Sequence, residues 1–203
     1  GTNYGTIEKN NASVDTNNGI IENNTGTINR YSSDATLNEN SGTINTLSKG
    51  SVRKNTGKIN DVNDKNVTIY NYAGGTVGKS DDAWGVRACT VWNMGGIVQG
   101  YSSYADNVKV YNFEGGTVSN LRKGSVIYNL GGTVTDSSTA QVINCYKVNI
   151  NSSFVETWND KFIINPDTGE VWLPEGETGT FTVKDGTPQL YVTGATLTKQ
   201  SDT

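Results

Sequence analysis

Asn24-Thr25-Gly26-Thr27-Ile28, followed by Asn40-Ser41-Gly42-Thr43-Ile44 and Asn55-Thr56-Gly57-Lys58-Ile59, is the stretch that decides the fold. The same unit stands at Asn3–Ile7, and longer versions ending on Val77, Val98, Val118 and Val134 begin at Asn71, Asn93, Asn112 and Asn129. Each follows a second short apolar segment: Ser13-Val14, Thr36-Leu37, Ser51-Val52, Thr68-Ile69, Thr90-Val91, Lys109-Val110 or Val126-Ile127. Ile21, Leu37, Val52, Ile69, Val91, Val110, Ile127 and Ile143 recur every 15 to 22 residues. That repeat length, β-branched enrichment and the lack of sustained 3.6-residue periodicity predict a single-stranded parallel β-helix, an all-β solenoid.

Side chains alternate along a strand, so the Ile or Val after each Thr points inward. Residues 5–150 are predicted to form eight or nine coils, with Ile28, Ile44, Ile59, Val77, Val98, Val118 and Val134 in one inward column. Asn17, Asn40, Asn55, Asn71, Asn93, Asn112 and Asn129, continued by Asn144, are expected to stack as an amide ladder that satisfies buried polar groups. The glycine after each Asn is read as supplying a backbone conformation that other residues resist.

Composition agrees. Of 203 residues 33% are hydrophobic, and mean hydropathy is -0.51, too low for a compact globule. Yet 10 Tyr, 4 Trp and regularly spaced Ile and Val argue against disorder. A solenoid resolves this, because each coil buries few apolar side chains and relies on its neighbours. A net charge of -4 without a basic cluster speaks against nucleic-acid binding, and no apolar run approaches a membrane span. The chain starts inside a repeat, so the lack of a secretion signal says nothing about compartment. Cys89 and Cys145 read as small wall hydrophobes, with one disulfide as the alternative.

The Asn-x-Gly-Thr-Ile array over about residues 1–150 resembles the low-complexity parallel β-helix repeats of bacterial cell-surface and adhesin-type proteins. That resemblance implies secretion and surface display, and names no receptor. The repeat domain is placed at residues 1–153. Residues 154–203 lose the pattern; Lys161–Asn165, Pro166-Asp167-Thr168-Gly169 and Glu170–Leu173 read as a β-hairpin within a β-rich cap or small module. Gly179–Val183 and Gln189–Val192 are expected to be further strands.

The absence of His removes triad catalysis and His-metal sites. No catalytic residue, cofactor or metal is assigned. Asp61-Val62-Asn63-Asp64 is rejected as a calcium loop because Lys65 falls where a ligand belongs. The outward Thr residues read as strand formers rather than an ice-binding face. The best ligand-site candidates lie in two insertions, residues 78–90 and 99–109. These are expected to gather Asp81, Asp82, Trp84, Arg87, Tyr101, Tyr104 and Asp106 at one corner, aromatics beside carboxylates as sugar recognition favours.

A second candidate is an apolar stripe. The outward position after the inward residue, polar in the early coils (Asp15, Glu22, Asn38, Arg53), becomes Tyr70, Trp92, Tyr111 and Tyr128. Beside it run Tyr72, Met94, Phe113 and Leu130. Such a stripe marks an interface: with the chain's own tail, with a partner chain, or with a glycan. The expected function is that of a non-enzymatic, extracellular or cell-surface protein whose solenoid serves as an adhesive or spacer surface, with a glycan or a host or cell-surface protein as partner. The alternative is a carbohydrate-binding or carbohydrate-active β-helix protein working through the 78–109 insertions.

Overall fold

The computed structural model describes residues 1–79, 85–100, 106–148, 155–183 and 196–199. They are all-β, and no described residue is helical. The chain divides into two compact units, Gly1–Val142 and Ile143–Thr203.

The first unit is a parallel β-solenoid of about eight turns. One wall stacks Ser13–Asn17, Thr27–Tyr31, Thr43–Leu47, Lys58–Asn63, Thr76–Val77, Ile97–Gln99, Thr117–Ser119 and Thr133–Thr135. The other stacks Thr6–Asn10, Ile20–Asn24, Glu39–Asn40, Ser51–Asn55, Thr68–Tyr72, Thr90–Met94, Lys109–Phe113 and Val126–Leu130. We call these the first and second walls. On the first, Val14, Ile28, Ile44, Ile59, Val77, Val98, Val118 and Val134 pair in register, coil upon coil, and from Ile28 onward this is the column the repeat predicts. All but Val134 are buried. On the second wall Leu37, Val52, Ile69, Val91, Val110 and Ile127 do the same.

Three sequence expectations are corrected by this wall assignment. Ile7 pairs with Ile21 on the second wall, whereas Val14 pairs with Ile28 on the first, so these early segments exchange the walls their motifs suggested. Asp15 therefore lies on the first wall and does not precede the aromatic column. Asn17 leaves the amide ladder. It accepts from Asn3 at 2.6 Å on the first wall, and its column continues as Tyr31, Leu47, Val62 and Val86. The physical cause is a half-coil period: Asn3, Asn10, Asn17 and Asn24 are seven residues apart, so consecutive corners of one turn look alike.

The glycine expectation is also revised. Gly42 and Gly57 have ordinary φ; they are required because a Cβ would lie 2.1–2.2 Å from the carbonyl oxygen of the glycine one coil below. A left-handed glycine appears in the later corners, where Gly-Gly replaces the single residue: Gly74, Gly95, Gly115 and Gly131 have φ of 79–97°.

In the second unit, Gln141–Val148 pairs antiparallel with Val171–Pro174, which pairs antiparallel with Ile163–Ile164. The last two form the expected hairpin. Asn165 Oδ1 accepts from the backbone N–H groups of Asp167 and Thr168, and Gly169 takes φ 71°. Val155–Trp158 pairs with Thr178–Val183, as expected for a strand near Gly179–Val183, and Thr196–Lys199 runs parallel to it. Residues 189–192 lie outside the described residues.

Candidate functional site

An amide ladder threads the corner that leaves the second wall. Each Asn Nδ2 donates to the Asn Oδ1 of the next coil: Asn10 to Asn24, Asn24 to Asn40, Asn40 to Asn55, Asn55 to Asn71, Asn71 to Asn93 and Asn93 to Asn112, at 2.7–2.9 Å. Asn112 reaches Asn129 at 3.4 Å. The same Nδ2 groups also reach corner carbonyls, as Asn93 does to Gly96 at 3.0 Å. Asn10 and Asn24, absent from the sequence-based column, are members. Their seven-residue spacing from Asn3 and Asn17 was the available signal, obscured because Ala12 replaces the marker glycine after Asn10.

The aromatic stripe stands on this scaffold. Tyr70, Trp92, Tyr111 and Tyr128 pair in strict register on successive coils of the second wall. Tyr72 is level with Met94, and Phe113 with Leu130. The four register-matched rings are half-buried, whereas Phe113 and Leu130 are buried. Ring centroids are 6.1 Å apart for Tyr70–Trp92, 4.2 Å for Trp92–Tyr111 and 5.2 Å for Tyr111–Tyr128, with planes inclined by 15–26°. Phe113 also stacks on Trp92, at 6.0 Å and 16°.

These distances fix how the rings face. Trp92, Tyr111 and Tyr128 are stacked at 4.2 and 5.2 Å with planes inclined by 26° and 15°, so their faces are turned toward one another along the column. Ring edges, not faces, point away from the wall. A sugar platform needs exposed faces, and the inner faces of this column are already occupied.

The column begins where the spacing from the inward residue to the ladder Asn shortens by one. In earlier coils two residues separate the inward apolar residue from the ladder Asn, as in Val52-Arg53-Lys54-Asn55. From Ile69-Tyr70-Asn71 onward only one does, and the register shifts between Ile69 and Asn71. A single outward position between the inward residue and the ladder Asn places Tyr70, Trp92, Tyr111 and Tyr128 in one column.

Of the insertion candidates, Asp81, Asp82, Trp84, Tyr101 and Tyr104 lie outside the described residues. Arg87 and Asp106 are both partly exposed. The backbone N–H of Ala88 donates to the carbonyl of Asp106 at 3.1 Å, so the two insertions rejoin the solenoid on adjoining coils. Val86 re-enters the first wall opposite Val62.

Cys89 and Cys145 are both free and buried. Cys89 packs in the core, and desolvation pushes its thiol pKa up to about 12, as it does that of Cys145. Among the described residues no helix is long and apolar enough to cross a membrane. No family model matches the chain, and neither a curated protein nor a solved structure matches it.

Proposed function

We propose that this chain is a non-enzymatic extracellular or cell-surface protein whose solenoid serves as a stiff adhesive or spacer element. The observation that carries the reading is the uninterrupted amide ladder from Asn10 to Asn129, locking successive coils beneath walls that differ in outward chemistry. A ladder with every coil hydrogen-bonded to the next suits a rod that must hold its length and present side chains at fixed intervals. The adhesin-type resemblance of the repeats points the same way, toward a bacterial surface. Immunolabelling of intact producing cells tests it: labelling before lysis is expected, and labelling only after lysis would reject surface display.

A second reading, carbohydrate binding or cleavage at the 78–109 insertions, is favoured by one observation: the Ala88–Asp106 bond brings both insertions onto adjoining coils. Its test is Arg87→Ala with Asp106→Ala. Unchanged glycan binding and turnover would remove it.

A further inference from the structure

The outer face of the first wall carries another ladder. Asn29 Nδ2 donates to Asp15 Oδ1 at 3.2 Å, Asn45 to Asn29 at 2.9 Å, and Asn60 to Asn45 at 2.8 Å. It runs in the opposite direction to the inner ladder and ends on a carboxylate. The inner ladder satisfies buried corner groups. The outer one sits mid-strand, with Asp15 and Asn29 exposed and Asn45 and Asn60 half-buried, where Asn is a poor strand former and Thr or Val would serve the sheet better. Coil-to-coil bonding is one reason for amides on these consecutive coils, and their exposure leaves room for a second.

Their free hydrogen-bonding capacity supplies it. A side-chain amide has two N–H donors and two carbonyl lone pairs. Within the ladder Asn29 and Asn45 each use one of either kind, which leaves one donor and one acceptor on each of these two amides for a ligand. Thr27 and Thr43 occupy the neighbouring outward column, and Arg30 and Thr46 the column on the other side. All of these groups hydrogen-bond and none is apolar. The strip thus repeats one donor–acceptor pair from Asn29 to Asn45, a coil step of about 4.8 Å.

We propose that the strip Asp15–Asn29–Asn45–Asn60 binds an extended polyhydroxylated polymer, a polysaccharide lying along the solenoid axis. A hydroxyl group donates and accepts, so it matches the pair left free on each amide. A polymer of like units meets an amide at each of the three coils from Asn29 to Asn60, and binding that is weak at one amide accumulates over several. The strip deepens the adhesive reading and rests on it, supplying the chemical class that the adhesive surface would hold.

The test uses the whole 203-residue chain. Binding is measured by affinity electrophoresis in xylan, mannan and mixed-linkage glucan, and by pelleting with cellulose and chitin. The wild-type chain is expected to be retarded or pelleted by at least one of them. The triple variant Asn29→Val, Asn45→Val, Asn60→Val is expected to bind about a hundred-fold more weakly, from three lost hydrogen bonds. Trp92→Leu, on the other wall, should bind like the wild type. If the Val triple does not fold by circular dichroism, the corresponding Ser triple is read in its place. A wild-type chain that ignores all five polymers, a triple variant that binds undiminished, or loss of binding in Trp92→Leu overturns the proposal. Surface display is judged separately by labelling intact cells, so it can survive the failure of this site.

Discussion

Asn55 donates to Asn71 at 2.7 Å although it stands three residues from its inward Val52 and Asn71 only two from Ile69. Val52 is level with Ile69 and Asn55 is level with Asn71, so Arg53 and Lys54 together oppose Tyr70. The buried ladder keeps its register and the solvent-facing side absorbs the mismatch as a bulge. An orphaned buried amide costs more than a local irregularity on the outside.

Asn71→Ala therefore removes a donor and an acceptor in mid-ladder, leaving Asn55 Nδ2 and Asn93 Oδ1 without each other's bridge. A loss of about 2–4 kcal/mol is expected from denaturant unfolding. A change below about 0.5 kcal/mol would mean that the ladder contributes nothing net.

Corner glycines divide by position. Gly42→Ala drives a Cβ to 2.1 Å from the Gly26 carbonyl oxygen, and a loss above about 2 kcal/mol is expected. At Gly5 the nearest atom, Asn3 Oδ1, is 3.9 Å away, so Gly5→Ala should shift stability by no more than about 1 kcal/mol. Melting curves of the two variants give the comparison.

Trp92 stacks on Tyr70, Tyr111 and Phe113. Trp92→Ala should cost about 2 kcal/mol and flatten the near-ultraviolet circular dichroism of the ring column. Trp92→Tyr, which restores a ring in the column, should recover most of both signals.

The buried thiols set an alkaline limit. An unfolded Cys ionises at about 8.5. In the folded chain burial raises both Cys89 and Cys145 to about 12. Between these values the unfolded state has lost protons that the folded state retains, so stability falls as pH rises through that window and is unaffected below it. Denaturant midpoints measured from pH 7 to 11 should decline from about pH 8.5, and Cys89→Val should flatten the slope. Iodoacetamide should leave native Cys89 unmodified at pH 8 and alkylate it after denaturation.

Much of this architecture was legible in the chain itself. Ile28, Ile44, Ile59, Val77, Val98, Val118 and Val134 follow Thr, Lys or Ile at matching points of the repeat, and only residues facing the core need stay aliphatic at every coil. The hairpin at Pro166–Gly169 was equally legible, since its turn depends on local chemistry. The ladder was legible from Asn40 onward. Before it, Asn3, Asn10, Asn17 and Asn24 stand seven apart, and Asn17 was taken for the member that Asn10 and Asn24 supply.

The sequence by itself determined that the chain coils, which residues face inward at most turns, and that one outward column turns aromatic at Tyr70. Those features repeat at fixed intervals, so they survive being read one segment at a time. Only the tertiary structure decided which wall each early segment joins, because seven-residue half-coils make the two corners of a turn indistinguishable locally. It alone turned the faces of Trp92, Tyr111 and Tyr128 toward one another, and it alone aligned Asp15, Asn29, Asn45 and Asn60 into a ladder. Contacts of this kind join residues one full turn apart, and variable connections make that distance in sequence different from coil to coil.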